Sequence, residues 1–246
     1  MKKNIYSISK SAALIIISAF ILLLTGISCI HHSKIISIKE NVKKETKNIV
    51  VNIKISKFSS NNKKENKKLS AFNNLRQKEL DQYSDTLKSQ ADKDLKELEN
   101  NKYGRPSWKY GLYVTDTVIM MIPKYFLSIL QTESTFTGGA HPNNLIKNYN
   151  YDIKNNKLLK KGDIINIKDS IKINKILYNK FKAQNKYNIE LFEQPSVKLA
   201  DAIALTPDSI IFVYNQYTLA CYAAGPIEIK ISQNLIGDSF LIKIQE

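Results

Sequence analysis

Histidine, cysteine and tryptophan are scarce in this sequence. Its 246 residues include three histidines, two cysteines and one tryptophan. Two cysteines cannot build the disulfide framework that is typical of small secreted domains. His31 and His32 lie near the N-terminus, so His141 is the only histidine available to the rest of the chain. We therefore expect no metal and no cofactor, because a catalytic zinc site needs several clustered histidine, cysteine or acidic ligands.

Acidic residues are outnumbered by basic ones. The chain carries 37 lysines and arginines against 22 aspartates and glutamates, a formal net charge of +15. This charge favours anionic neighbours such as lipid head groups or acidic wall polymers. The lysines are scattered through the sequence, and no motif of a nucleic-acid-binding module is present. We expect most lysines to be solvated surface residues and expect no nucleic-acid partner.

The N-terminus has the pattern of an export signal. Lys2 and Lys3 precede an apolar run over residues 12–24, which is shorter than the roughly 20 residues of a membrane span. Residues 24–29, Leu-Thr-Gly-Ile-Ser-Cys, resemble the end of a bacterial lipoprotein signal. This resemblance implies cleavage before Cys29, lipid on that cysteine, and an exported protein held on a membrane of the bacterial cell envelope. Plain secretion and an uncleaved N-terminal anchor remain alternatives.

The second cysteine leaves a further alternative open. If Cys29 carries lipid, Cys221 has no cysteine to pair with, and we expect it to be a buried, unreactive thiol. If the protein is exported without lipid, Cys29 and Cys221 could form a disulfide bond instead.

The chain divides by composition into four parts. Residues 1–28 are the predicted signal peptide, and residues 29–47 are a lipidated cysteine followed by a lysine-rich, irregular tether. Residues 48–105 contain a strand and a long amphipathic helix, whose apolar residues recur at three- and four-residue steps from Leu69 to Leu98. Residues 106–246 are rich in β-forming residues.

Alternating and continuous apolar runs predict the remaining elements. Strands are predicted over residues 48–55, 108–122, 125–136, 145–151, 209–214, 217–220, 227–231 and 240–244. A loop is predicted over residues 59–68, and a second, shorter helix over residues 169–187. We therefore predict an α+β fold in which an antiparallel sheet packs with one long and one shorter helix.

The segment Thr-Gly-Gly-Ala-His-Pro-Asn at residues 137–143 predicts a tight corner between two strands. Gly138 and Gly139 permit positive φ, while Pro142 restricts His141 to extended geometry. These residues primarily indicate the local fold, and they are also a candidate functional site.

A family resemblance rests on this corner. The run Phe136 to Asn143, then Asn-Tyr-Asp at residues 150–152 and the segment 158–164, resemble the core motif of the PdaC/RsiV-like extracytoplasmic domains. Residues 209–214 and 217–225 resemble a second block of the same family, although Thr218 and Cys221 stand where the family tends to have an acidic residue and proline. Such domains accompany a peptidoglycan deacetylase catalytic domain, and form the extracellular part of an anti-sigma factor that senses lysozyme.

The resemblance implies fold and setting rather than chemistry. We expect no deacetylase activity and no enzyme, since the clustered aspartate and histidine ligands of a zinc deacetylase are absent from the sequence. A candidate binding rim comprises Gly138, Gly139, His141, Asn143 and Tyr151. For His141 alone, the structural interpretation is a ring nitrogen that ties the corner to a backbone carbonyl.

Two functions follow as hypotheses. The first is a lipid-anchored binding module that engages peptidoglycan or a wall-acting protein such as lysozyme, which is basic and would require a locally acidic face. The second is a carbohydrate-directed envelope hydrolase with a site around His141, Asp152 and Asp163. Acidic groups converging on His141 in a cleft would favour the hydrolase, and an open rim would favour binding.

Overall fold

A six-stranded sheet and the long helix that crosses it form the first half of the fold in this computed structural model. The structure describes residues 33–101, 104, 106–185, 188–192, 198–200 and 202–243. The predicted signal peptide, Cys29, His31 and His32 therefore lie outside the described residues. The sheet contains β1 (Ile35–Glu45), β2 (Ile49–Ser60), β3 (Tyr110–Ile122), β4 (Phe126–Phe136), β5 (Asn143–Asp152) and β6 (Lys157–Leu159), side by side in chain order.

Helix α1 (Lys63–Glu99) makes the one crossover of this sheet. The pair β2–β3 is parallel and the other neighbouring pairs are antiparallel. A parallel pair needs a long connection, and the 37-residue helix supplies it. Its apolar stripe, including Leu80, Leu87 and Leu95, packs against β2 and β3 on one face of the sheet.

A second, three-stranded sheet covers part of the opposite face. It consists of β7 (Ala202–Leu205), β8 (Ser209–Tyr214) and β9 (Ile227–Ser232), all antiparallel. Leu130 of β4 packs with small and branched side chains of β7 and β8. Helix α2 (Lys161–Ile164), helix α3 (Ser170–Gln184) and helix α4 (Gln233–Ile236) complete the described helices, with α3 packed on β9.

Side chains of the first sheet satisfy the backbone of strand β7. The Ser128 hydroxyl accepts from Leu205 N at 2.8 Å, and Asn150 Nδ2 donates to Ile203 O at 2.6 Å. Both polar side chains are fully buried. Their burial is tolerated because each of these polar side chains makes a hydrogen bond.

The predicted α+β class with one long and one shorter helix is confirmed. Four local predictions of secondary structure are wrong. The first concerns the irregular tether, since Ile35–Glu45 forms β1. Of this strand only Ile35 is buried. Because β1 is an edge strand whose other side chains are not buried in the core, its sequence shows no apolar alternation.

The predicted loop over residues 59–68 is also wrong, because α1 already begins at Lys63. Asn62 caps it by accepting from Lys64 N at 3.0 Å and Glu65 N at 3.1 Å. The first two turns are polar, and so the apolar period only becomes visible at Leu69.

The last two errors lie near the C-terminus. Residues 217–220 form a turn rather than a strand, since Tyr217 adopts a φ of +64° that extended pairing does not allow. Phe240 makes a single bridge to Ile165 instead of starting a strand. Cys221, expected to be buried, is exposed and is a free thiol within the described chain.

Candidate functional site

The connection between β4 and β5 forms the tip of a long antiparallel hairpin. Pairing runs up to Thr135 and Asn143, and residues 137–142 make the turn region predicted from the glycine and proline pattern. Gly138 has a φ of +90° and Gly139 a φ of +109°. Both values lie in the region that side chains with a Cβ disfavour, so two consecutive glycines are required by the backbone path.

Gly138 also lies directly on the indole of Trp108. A Cβ built at residue 138 would lie 2.6 Å from two atoms of that ring. The indole stacks on Tyr110 with ring centroids 5.8 Å apart and meets Phe136 edge-on at 5.9 Å. The glycine therefore lets the loop lie flat on an aromatic cluster that any larger residue would displace.

His141 packs against the second half of the chain. Its ring stacks on Tyr222 with centroids 3.8 Å apart, and its Nδ1 lies 3.2 Å from Pro142 O. The Tyr222 hydroxyl donates to the same carbonyl at 3.2 Å. The contact of His141 with a backbone carbonyl is the one that the structural interpretation of this residue predicted, and the aromatic stack adds a tertiary role.

An acidic groove lies between the hairpin tip and the C-terminal end of α1. We use this name for the cavity of about 370 Å³ that is lined by Asp94, Glu97, Leu98, Asn101, Trp108, Tyr110, Thr137, Gly138 and Gly139. Helix α1 contributes both carboxylates because residues 94 and 97, three apart, share a helix face. The indole and the glycine loop form the opposite wall.

Asp94 is fixed within this groove. Its Oδ2 accepts from the Tyr110 hydroxyl at 2.6 Å and its Oδ1 from Gln90 Nε2 at 2.5 Å. These hydrogen bonds hold the pKa of Asp94 below its usual range. Burial, together with the bond to Asp94, raises the pKa of Tyr110 to about 12. Asp94 is thus a carboxylate and Tyr110 a neutral donor at neutral pH.

An apolar groove lies on the other face of the sheet at the same end. It is a cavity of about 470 Å³ lined by Val50, Ser107, Lys109, Tyr110, Gly111, Tyr113, Ser134, Phe136 and Pro142. Tyr113 is 47% exposed there. A Cβ at residue 111 would lie 2.9 Å from the Tyr113 ring, so this glycine gives the tyrosine its space.

The structure brings together most of the predicted binding rim. Gly138, Gly139, His141 and Asn143 lie at the hairpin tip. Tyr151 does not, because it lies eight residues further along β5, roughly 26 Å away. It is 4% exposed, and its hydroxyl donates to Asn156 Oδ1 at 2.6 Å. Burial also raises the pKa of Tyr151 to about 12.

The acidic residues of the hydrolase hypothesis lie at the opposite end of β5 from His141. Asp152 ends that strand, and its two oxygens accept from N and Nδ2 of Asn155 at 2.8 Å and 2.7 Å. Asp163 lies in α2 beside Lys157, with Oδ1 and Nζ 2.6 Å apart, and this lysine lowers the pKa of the carboxyl group. Neither carboxylate converges on the histidine.

Sequence reasoning missed a buried polar network between α1 and the sheet. Arg76 and Asp116, each with a side chain 1% exposed, form an ion pair of 2.6 Å. Asp116 also accepts from Ser56 N at 2.7 Å and from Gln131 Nε2 at 3.0 Å. The signal that could have revealed it is Arg76 itself, a charge four residues from both Phe72 and Leu80 in the apolar stripe.

Beyond this network, two general findings bear on function. Within the described ranges, no three histidine, cysteine, aspartate or glutamate side chains are grouped so that they could hold a metal ion. Among the same residues, no helix is long and apolar enough to cross a membrane.

Comparison with known families covers both halves of the chain. Residues 42–144 match the family model described as "Deacetylase PdaC", and residues 156–234 match "Protein of unknown function (DUF3298)". The N-terminal part is thus similar to the PdaC family and the C-terminal part to the DUF3298 family. The resemblance read from the hairpin and from residues 209–225 is confirmed. A search of curated proteins finds no match.

Solved structures share this arrangement. A DUF3298 family member from Bacteroides fragilis has a TM-score of 0.64 at 20% identity, covering 85% of this chain and 93% of that one. A DUF3298 family protein from Pseudomonas aeruginosa has a TM-score of 0.51 at 17% identity, covering 83% and 92%. At these identities the similarity establishes the fold alone. The shared fold extends over both the PdaC-like and the DUF3298-like parts of this chain.

Proposed function

We propose that this PdaC–DUF3298 chain is a lipid-anchored binding module of the bacterial cell envelope, and that the acidic groove holds a glycan strand of peptidoglycan. The anchor in this proposal is lipid on Cys29, as the signal-like N-terminus suggests. Export would place the module where the wall polymer is. The observation that carries the proposal is the pairing of an indole with two carboxylates in an open groove.

The chemistry of the groove suits a sugar polymer. A pyranose ring offers an apolar face to an aromatic platform and hydroxyl and amide groups to hydrogen-bond acceptors. The part of the Trp108 ring that lines the groove supplies the apolar contact, and Asp94 and Glu97 supply the acceptors. Asp94 is held in place by Tyr110 and Gln90, so less conformational entropy is lost when it accepts a ligand hydroxyl.

Binding is the function that these groups support best. The description of the PdaC family model names a deacetylase. The described lining of the acidic groove, however, contains carboxylates, an amide and aromatic rings and no histidine. His141, at the same hairpin tip, contacts Tyr222 and Pro142 rather than a carboxylate.

The test is co-sedimentation of the full chain with purified peptidoglycan. We expect wild type to sediment with the polymer. We expect Asp94→Asn/Glu97→Gln to bind at least about tenfold more weakly, because each weakened hydrogen bond to a charged acceptor costs roughly 1 kcal/mol. The control Asp81→Asn/Asp85→Asn removes two exposed carboxylates from the same helix away from the groove, and we expect it to bind like wild type. Failure of wild type to sediment would reject the glycan ligand.

A second candidate ligand is a basic wall-acting protein such as lysozyme. Its support is the charge of α1, where residues 78–99 contain seven carboxylates against four lysines. This segment gives a basic chain the locally acidic face that such a partner needs. Parallel pull-downs with lysozyme at low and high salt separate the two ligands, since charge-driven protein binding weakens with salt more than stacking on an indole does.

The anchor has its own test. Growth with a palmitate analogue is expected to label wild type and not Cys29→Ser. Absence of label on wild type would reject lipidation, and a disulfide between Cys29 and Cys221 would then be sought by mass spectrometry under non-reducing conditions.

A further inference from the structure

The end of the molecule opposite the acidic groove carries a dense group of exposed lysines. We call it the lysine patch and define it by Lys34, Lys63, Lys64, Lys67, Lys124 and Lys154, all of which are exposed. They come from four segments: the start of β1, the first turns of α1, the β3–β4 turn and the β5–β6 turn. The patch is therefore a product of the tertiary fold rather than of a lysine-rich run.

A buried glutamate holds these segments together. Glu65 is 6% exposed and accepts hydrogen bonds from the hydroxyls of Ser33 and Ser60 and, at 2.6 Å, from Lys124 N. Burial alone would raise its pKa, but these hydrogen bonds outweigh burial and lower it. One carboxylate thus joins the chain before β1, the end of β2 and the β3–β4 turn around the start of the helix.

Two further contacts complete the frame of the patch. Lys68 Nζ donates to Ile153 O at 2.9 Å and to Lys154 O at 2.7 Å, which ties the β5–β6 turn to α1. Asn61 and Lys34 exchange hydrogen bonds, with Asn61 Oδ1 accepting from Lys34 N at 2.9 Å. Lys64, Lys68, Lys124 and Lys154 line a common cavity of about 200 Å³.

The acidic residues at this end do not neutralise the patch from the surface. The carboxylate of Glu65 is directed inwards to its three donors. Asp152, which is half-buried, accepts from N and Nδ2 of Asn155. Both carboxylates keep their charge, but the six exposed lysines outnumber them, so the net charge at this end is positive.

Helix stability does not explain this arrangement. The helix dipole favours acidic residues in the first turn and basic residues in the last. Here the first turn contains Lys63 and Lys64 beside Glu65, and the last contains Glu97 and Glu99 beside Lys96. The net charge of each end is therefore opposite to the one that the dipole favours, and the dipole does not account for the lysines at the start of α1.

The patch adjoins the point where the N-terminal segment joins the domain. The Ser33 hydroxyl is one of the groups bonded to Glu65. Cys29 precedes Ser33 by four residues, and a chain of this length spans at most about 14 Å. A membrane attachment at Cys29 would therefore keep Ser33, which lies at the lysine-patch end of the domain, within about 14 Å of the lipid head groups.

We propose that the lysine patch docks on an anionic lipid surface and so directs the acidic groove away from the membrane. This inference rests on the membrane attachment in the proposed function and adds an orientation to it. Basic side chains near an anionic leaflet contribute about fivefold each to the docking equilibrium. The charge, the position and the four-segment frame of the patch all fit a lipid surface rather than a small ligand.

Lysine footprinting of the full chain on vesicles tests the orientation. The chain is incorporated into vesicles of phosphatidylcholine alone, or of equal parts of phosphatidylcholine and phosphatidylglycerol, and acetylation of each lysine is measured by mass spectrometry. On anionic vesicles we expect the reactivity of Lys63, Lys67 and Lys124 to fall at least about threefold, and to recover in high salt. Lys88, Lys93 and Lys96, exposed on the acidic half of the same helix, are expected to change little.

A matched pair of variants makes the test specific. Lys63→Gln/Lys64→Gln/Lys67→Gln removes three charges from the patch, and Lys88→Gln/Lys93→Gln/Lys96→Gln removes three from elsewhere on the same helix. We expect only the first variant to lose protection of Lys124 and Lys154 on anionic vesicles. Equal protection in both variants, or protection of neither lysine set in wild type, would overturn the proposal.

Two other outcomes are informative. Protection of the patch on neutral vesicles by inorganic phosphate at millimolar concentration would replace the lipid surface by a soluble anion. Failure of wild type to float with either vesicle would remove the membrane attachment itself, and the docking proposal with it. Flotation without selective protection would leave the attachment intact and reject docking alone.

Discussion

The two halves of helix α1 differ in charge, although they form one continuous element. Residues 63–77 contain four lysines and one arginine against a single glutamate, whereas residues 78–99 contain seven carboxylates against four lysines. At 37 residues the helix is roughly 55 Å long, so these sets lie at opposite ends of the sheet. The net charge of the whole chain, +15, therefore does not reveal that the two ends of this helix carry charges of opposite sign.

The same contrast extends to the chemistry around each end. At the acidic end, carboxylates face an indole and a glycine loop that leave an open groove. At the basic end, the carboxylate of Glu65 accepts internal hydrogen bonds, and the lysines remain exposed. The acidic end can therefore accept hydrogen bonds from a ligand, whereas the basic end can attract anions. Four predictions test how independent the two ends are.

The largest effect is expected at the junction between the halves, where Arg76 pairs with Asp116. Asp116→Asn leaves a buried guanidinium without its counter-charge and is expected to lower the free energy of unfolding by about 3–5 kcal/mol, measured by urea denaturation. Arg76→Met/Asp116→Asn is expected to recover part of this loss, since no uncompensated charge remains. A loss below about 1 kcal/mol for the single variant would contradict the prediction.

A smaller effect is expected at the acidic end from Gly138→Ala. This variant combines a φ of +90° with a Cβ 2.6 Å from the indole, and we expect a loss of about 2–3 kcal/mol together with a shift in the emission of Trp108, the only tryptophan. Gly139→Ala is the matched control. Its φ is +109° and nothing lies within 4 Å of the added Cβ, so we expect a smaller loss and unchanged emission. Equal emission shifts would contradict the role given to Gly138.

At the basic end, Glu65→Gln is expected to cost about 1–2 kcal/mol at neutral pH. The folded-state pKa of Glu65 is lowered, so the stabilisation is present above the unfolded pKa of about 4.3 and is lost as pH falls through the folded pKa. The difference between wild type and variant should therefore shrink below pH of about 4. A constant difference from neutral to acidic pH would show that the charge of Glu65 is not the cause.

The smallest effect is expected from His141→Ala, which removes the stack on Tyr222. We expect about 0.5–1 kcal/mol of destabilisation by thermal unfolding, the usual contribution of an aromatic pair. The same variant tests the hydrolase alternative when both proteins are incubated with wall fragments. Equal release of soluble fragments by wild type and variant is expected, and activity present only in wild type would favour the hydrolase.

Local chemistry allowed much of the fold to be predicted. The glycine pair and Pro142 indicated the hairpin, and the three- and four-residue apolar steps indicated α1 and α3. Segments that failed lack such a local signal. Strand β1 is stabilised by hydrogen bonds to β2 along one edge, and its outward residues are polar, so nothing in its own sequence distinguishes it from a tether.

The site was predicted only in part for a similar reason. Gly138, Gly139 and His141 are adjacent in sequence and form one corner. Asp94 lies near the end of α1 and Trp108 just before β3. They meet because the parallel pairing of β2 with β3 returns the chain beside the helix. No spacing in the sequence encodes that contact.

By itself, the sequence determined the composition of the chain, the α+β class, the hairpin corner and the similarity of its two parts to the PdaC and DUF3298 families. These depend on residues close to one another along the chain, where backbone preferences and apolar periodicity act directly. The tertiary structure alone decided that one helix separates an acidic groove from a lysine patch, and that Tyr151 and Asp152 lie far from His141. Those outcomes depend on strand order and register, which arise from packing between distant segments.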